Sequence, residues 1–200
     1  MTMDKEEKQK EGIFNTDHAP MLDADWRVNE LQPEQLVREI IGVRPGDICA
    51  DFGSGTGTFA FPMAAAVGDK GRVYAVDNSD RMFEIITAKN PPSQLITVRA
   101  DVMQTGLDDN LADICLLAFI LHEVAEQDKL IAEACRLAKP GGRIVALEWR
   151  ADADMPMPPK HKRITRDKIE RLFRQAGIEL TDFIERTDAH YVAMGVKHGR

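Results

Sequence analysis

From Ile48 onward, apolar runs alternate along the chain with amphipathic ones. Five stretches are nearly continuous in hydrophobic residues: "DICADF" (47–52), "RVYAVD" (72–77), "ITVRAD" (96–101), "DICLLAFI" (113–120) and "RIVALEW" (143–149). Such runs predict parallel strands covered on both faces, because a half-exposed strand would alternate apolar with polar positions. Between them, "TFAFPMAAAV" (58–67), "SDRMFEIITAKN" (79–90) and "VAEQDKLIAEACRLAK" (124–139) read as helices. In the last, Leu130, Ile131, Ala134, Leu137 and Ala138 recur at helical spacing, and Pro140-Gly141-Gly142 is expected to stop it. Ser79 is placed to cap the second helix, and Pro62 fits the first turn of a helix starting near Phe59.

The alternation predicts a doubly wound α/β sheet with helices on both faces. The link between the third and fourth strands, "VMQTGLDDNLA", is too short for a long helix. Further on, 165–178 reads as a helix, and "ELTDFIERT" and "HYVAMGVKH" read as an antiparallel hairpin closing the sheet edge. Ahead of the sheet, 33–43 reads as a capping helix. Residues 33–200 thus form one expected domain, preceded by a lid segment over 13–32 and a charged, disordered tail over 1–12.

A net charge of −7 argues against a dedicated nucleic-acid binder. No apolar run is long enough to cross a bilayer, and the charged N-terminus lacks the apolar core of a signal peptide. Cys49, Cys115 and Cys135 stand singly in apolar segments, without the spacing of a disulfide framework or metal site. These features together predict a cytoplasmic protein.

The chemistry centres on "DFGSGTGTF" (51–59), where three glycines follow the first strand directly. A strand, a glycine-rich turn and a helix N-terminus form a nucleotide-type pocket, since glycine lets a ligand approach the backbone. The spacing departs from the dinucleotide fingerprint, with Thr58 at the third glycine position, and no Lys-Ser/Thr follows to make a phosphate loop. Asp77 and Asp101 are expected to end the next two strands along the same edge, where one acid can accept both ribose hydroxyls.

These motifs resemble class I S-adenosylmethionine (SAM)-dependent methyltransferases. "DFGSGTG" is similar to their first motif, "VYAVDNSDRM" to the acid of their second strand, "RADVM" to their adenine-contacting segment, and "LAKPGGRIVALEW" to the turn and fifth strand. Within the class, 119–149 looks most like the ubiquinone/menaquinone-biosynthesis methyltransferase branch and its small relatives. The resemblance implies a mostly parallel seven-stranded sheet in the order 3-2-1-4-5-7-6. It implies SAM as cofactor, with Gly53, Ser54, Gly55 and Gly57 at its methionine half and Asp51 orienting that half. Asp77 would take the ribose, Met82 would pack on adenine, and Asp101 and Val102 would flank it. Asn78 and Phe119 complete the implied cofactor set.

Methyl transfer needs an acceptor held in line, and a base only when the nucleophile must shed a proton of high pKa. His122 after strand four and Glu148 after strand five are the chosen catalytic candidates, with Glu123, Trp149, Arg150, His190 and Tyr191 near the same edge. His18, Asp25, Trp26 and Arg27 are candidates on the lid. Run 160–174 is locally basic, either as a solvated helix face or as a surface attracting an anionic acceptor. Three functions compete: transfer to a small aromatic, quinone-like or thiol-like acceptor, transfer to RNA or protein, and a non-catalytic SAM-binding subunit.

Overall fold

The computed structural model describes residues 19–199; the predicted tail over 1–12 and His18 lie outside them. Apolar runs become strands that bury both faces by simple alternation. In β1 (Ile48–Phe52), Cys49 enters one core while Ala50 and Phe52 enter the other. In β4 (Ala112–Ala118), Ile114 and Leu116 face the first core, Cys115 and Leu117 the second. Together with β2 (Arg72–Asp77), β3 (Leu95–Arg99), β5 (Ala138–Trp149), β6 (Ile178–Glu185) and β7 (His190–Lys197), they form one sheet in the order β3-β2-β1-β4-β5-β7-β6. Only β7 runs antiparallel, pairing with β5 and β6.

Helices cover both faces. Short α1 (Ala19–Leu22) and α2 (Asp25–Leu31) lead into α3 (Pro33–Gln35), which continues as a π-helical stretch over Leu36–Ile41. The wider turn differs from the plain helix predicted for 33–43. It ends at Gly42, whose positive φ of 69° suits glycine. Arg143 donates to the carbonyls of Ile41 and Gly42 at that end. Next, α4 (Ala60–Val67) holds Pro62 in its first turn, and α5 (Asp80–Ala88) is capped by Ser79, whose hydroxyl accepts from the Met82 N–H at 3.4 Å. Across the sheet, α6 (Gln127–Leu137) and α7 (Arg166–Gln175) build the second core through Leu130, Ile131, Leu137, Ile169 and Phe173.

Two expectations change. Pro140-Gly141-Gly142 does not follow a helix to 139. The helix stops at Leu137 and β5 begins at once, with Ala138 opposite Ala112 and Arg143 opposite Ile114. The residues between bulge out of the ladder, where a Cβ on Gly142 would stand 2.8 Å from the Lys139 carbonyl oxygen. Asp101 does not end β3 either; it lies two residues beyond Arg99, in a tight turn bridged to Gln104.

Candidate active site

The first strand turns directly into the glycine loop. Gly53, Gly55 and Gly57 all take positive φ (70°, 53° and 88°). At Gly53 a Cβ would stand 2.9 Å from the Ile120 side chain, so glycine serves both the turn and the close packing. The Gly53 and Ser54 amides donate to the Val76 carbonyl, and the Gly55 amide donates to Asp77 at 2.9 Å. Asp77 also accepts from the Ser79 amide at 2.9 Å, so its carboxylate is aimed by two backbone bonds. Burial raises its pKa against those same bonds.

Asp51 is only 1% exposed, and its Oδ2 has no hydrogen-bond partner among the described residues. Burial, with the charge of Asp77 adding, pushes its pKa up to about 7. The Ser54 hydroxyl is also buried and unpartnered among the described residues. Met82 is closed over at 3% exposure, while Asn78 is exposed. Asp101 accepts from the Met103 amide at 2.8 Å at the exposed start of the β3–β4 link, with half-buried Val102 beside it.

Next to this loop, β4 and β5 end in a coupled pair. Glu148 is fully buried, and one of its oxygens lies 2.8 Å from His122 Nδ1. It also accepts from the His122 and Trp149 amides, each at 3.2 Å. A carboxylate with three such donors assigns the proton to Nδ1 and leaves Nε2 free, 3.9 Å from Glu123. Burial opposes a charged imidazole, but the hydrogen bond and charge of Glu148 outweigh it, with Glu123 helping, and raise the His122 pKa. Glu123 is itself pushed up to about 7, first by burial. Glu148 is thus buried behind His122 and does not project outward, as its place after strand five had suggested.

Around this pair stands an aromatic cluster. Phe119 takes a positive φ of 57°, a conformation bulky residues seldom adopt and one that collects at functional sites. Its ring lies 5.2 Å from both Trp149 and His190, and the Arg27 guanidinium sits 5.3 Å from its centroid. The end of α1 and the residue after it lie against the loop itself. Thr56 donates to Asp23 at 2.9 Å, and Lys89 bridges Asp23 (2.6 Å) and the Thr56 carbonyl (2.8 Å). The other candidates fall elsewhere. Asp25 and Trp26 are exposed, Arg150 pairs with Asp152 and Glu185, and Tyr191 is buried with its hydroxyl on the Ile164 carbonyl.

A family model described as a methyltransferase domain matches residues 50–146. The ubiquinone/menaquinone biosynthesis C-methyltransferase UbiE of Francisella tularensis subsp. holarctica is 32% identical over 154 residues, which span 72% of this chain and 61% of that protein. The chain thus covers about three-fifths of the length of that relative. A SAM-dependent methyltransferase from Aquifex aeolicus superposes with a TM-score of 0.84 at 24% identity, covering 92% of this chain and 99% of the other. Residues 50–146 thus carry a methyltransferase domain, in the fold of SAM-dependent methyltransferases. The chain resembles the UbiE branch over 72% of its length, and SAM is the cofactor that its sequence motifs imply. The cyclase SpnF shares the fold, with a TM-score of 0.74 at 19% identity over 89% of this chain and 84% of that one.

The residues present fit that cofactor. A buried carboxylate with one oxygen, and a buried hydroxyl, unpartnered among the described residues, beside a loop of glycines, are what a cationic amino-acid moiety would satisfy. The methyltransferase carries no reactive thiol at this site. Burial raises the thiol pKa of Cys49, Cys115 and Cys135, and Cys135 donates to the Ala176 carbonyl at 3.3 Å. A variant with all three changed to alanine is expected to keep its turnover number within about threefold. Folded but inactive protein, judged by circular dichroism and initial rates, would count against this.

The basic run divides in the structure. Lys160–Lys162 form an exposed turn, with Lys162 close enough for its charge to oppose protonation of His122. Arg163 points inward, and Arg166 pairs with Glu170. The run is therefore not one solvated face.

Proposed function

We propose that this methyltransferase methylates a small planar acceptor of quinone-related chemistry, with His122 as general base and Glu148 as the residue that positions it. The observation that carries the reading is the His122–Glu148 pair at the ends of β4 and β5, adjoining the glycine loop on β1. The similarity to a C-methyltransferase of quinone biosynthesis supports a ring carbon as the methylated atom.

Bound SAM supplies an electrophilic methyl group and leaves as S-adenosylhomocysteine. The Gly53–Gly57 loop and Asp51 would hold the amino-acid half, Asp77 the ribose, and Met82, Asp101 and Val102 the adenine, with Asn78 at the rim. His122 Nε2 would take the proton that the acceptor loses, while Glu148 holds the ring on its other nitrogen and favours the resulting imidazolium. Helices α1 and α2 act as a lid, tied to the loop through Asp23 and Lys89, excluding water during transfer. No described helix is long and apolar enough to cross a membrane, and the free thiols suit a reducing, cytoplasmic setting.

The test supplies SAM labelled in its methyl group with separate panels of hydroquinones, catechols, thiols, RNA and protein. Label in a hydroquinone or catechol supports the reading. Label only in RNA or protein moves the acceptor to a macromolecule, and binding without any turnover makes this a SAM-binding subunit. On the cofactor side, Asp77→Ala is expected to remove about 1.5–3 kcal/mol of charged hydrogen bonding, roughly a ten- to hundredfold loss of SAM affinity. Unchanged affinity by calorimetry would remove Asp77 from the site.

A further inference from the structure

The start of β7 holds a polar atom that the proposed chemistry leaves unused. His190 is 2% exposed, with Trp149 at 4.4 Å and Phe119 at 5.2 Å between ring centroids. Its Nε2 has no hydrogen-bond partner among the described residues. Thr187 decides what that atom is. The Thr187 hydroxyl accepts from the amides of Ala189 (3.1 Å) and His190 (3.0 Å), which occupies both lone pairs. Its own proton is left for His190 Nδ1 at 3.0 Å. Nδ1 is then the acceptor, and Nε2 of the neutral ring carries the hydrogen. The ring stays neutral because burial disfavours the imidazolium and Arg27 and Arg186 repel it, holding the pKa down at about 4.

Arg27 reaches the same place from α2. It donates to the Leu22 carbonyl at 2.7 Å, lies over Phe119, and forms no ion pair among the described residues. Burial lowers its pKa to about 10, which leaves it charged at neutral pH. The nearest carboxylate to His190, Glu30, stands 3.5 Å from Nδ1, on the other side of the ring from the free N–H. A cation with one N–H on a backbone carbonyl and the charges of Asp23 and Glu30 nearby, and a buried N–H with no partner among the described residues, thus meet beside two aromatic faces. A purely structural aromatic cluster would gain nothing from a histidine nitrogen left bare.

We propose that Arg27 and His190 form the polar end of the acceptor pocket, and that they bind the oxyanion of a planar ring, a phenolate or enolate, set against Phe119 and Trp149. The proposal rests on the methyl-transfer reading of this site and names the charge state of its acceptor. An oxygen held by two donors is shielded from methylation, while its negative charge enriches the neighbouring ring carbon in electrons. Phe119 then serves the acceptor rather than the cofactor.

The probe is 2-hydroxy-1,4-naphthoquinone, whose enolic hydroxyl is ionised at neutral pH, compared with its 2-methoxy analogue, which has no ionisable proton. Binding of each is followed by quenching of tryptophan fluorescence, with and without saturating S-adenosylhomocysteine. S-adenosylhomocysteine affinity is measured separately. The wild type is expected to bind the anionic quinone roughly ten- to hundredfold more tightly than the methoxy compound. Arg27→Met should abolish that preference and Arg27→Lys should keep part of it. His190→Phe, which keeps the aromatic packing, should weaken only the anionic ligand, with His190→Gln as a second variant should the first fail to fold. Equal affinity for the two quinones, no measurable binding of the anionic one, or a preference that survives Arg27→Met would overturn the proposal. Failure of the wild type to bind S-adenosylhomocysteine would instead strike the methyl-transfer reading, and the comparison without it would still decide the oxyanion subsite.

Discussion

Replacing His122 with alanine is expected to lower kcat by about ten- to ten-thousandfold at saturating SAM while leaving SAM affinity unchanged. The residue sits after β4, beside the strand that carries the glycine loop, and its free Nε2 is the side held away from Glu148. The loss should appear in kcat because the ring acts on the acceptor's proton and not on the cofactor. Glu148→Gln should also slow turnover, through a different route. Removing that negative charge takes away what raises the His122 pKa against burial.

The pH profile separates the two variants. A base must be unprotonated, so the wild-type rate rises with pH as His122 loses its proton. That limb should lie above the ordinary histidine value, since the folded site favours the charged ring. In Glu148→Gln the limb should move to lower pH. Glu123, with its own pKa near 7, and Lys162 also face this ring, so the limb belongs to the cluster. A Glu123→Gln control would assign its share. Should His122→Ala and Glu148→Gln both turn over within about threefold of wild type, neither residue takes part in proton transfer, and the site works by positioning alone.

The second large effect concerns stability. Arg163 is 3% exposed, and its guanidinium donates to the carbonyls of Pro158 (2.9 Å), Ala153 (2.6 Å), Met155 (2.6 Å) and Arg150 (3.3 Å). One planar fork of donors thereby satisfies the inward-turned backbone of the whole link from β5 to α7. Arg163→Met keeps much of the bulk but strands those carbonyls without partners. The expected cost is about 3–5 kcal/mol, since each buried acceptor left bare costs roughly 1–3 kcal/mol and some regain water. At about 2–4 °C per kcal/mol for a chain of this size, the midpoint of thermal unfolding should fall by roughly 10 °C. A melting temperature within about 2 °C of wild type would show that the link is held by other contacts.

Much of this protein follows from its residues in order. Continuous apolar runs demand strands covered on both faces, and β2 occupies the same six residues, Arg72–Asp77, that its pattern predicts. Ser79 caps α5 because a hydroxyl before a helix finds its amide partner three residues away. The glycines of 53–57 are legible for the same reason: positive φ is a local demand that the residue type itself answers. Signals of this kind act over a few residues, so the chain states them without help from its fold.

Local rules failed where long-range pairing took over. Pro140-Gly141-Gly142 carries the composition of a helix stop, yet strand pairing from Ala138 absorbs it as a bulge in β5. Arg163 reads as one more charge in a basic run until the link folds around it. His122 and Glu148 are 26 residues apart, and their bond exists only because parallel pairing of β4 with β5 brings the two strand ends together. The meeting of Arg27, Phe119 and His190 needs three distant segments at one sheet edge. Residue type decided which groups could donate, accept or titrate; strand register and side-chain packing decided which of them meet, because those contacts carry no periodicity that a linear chain can display.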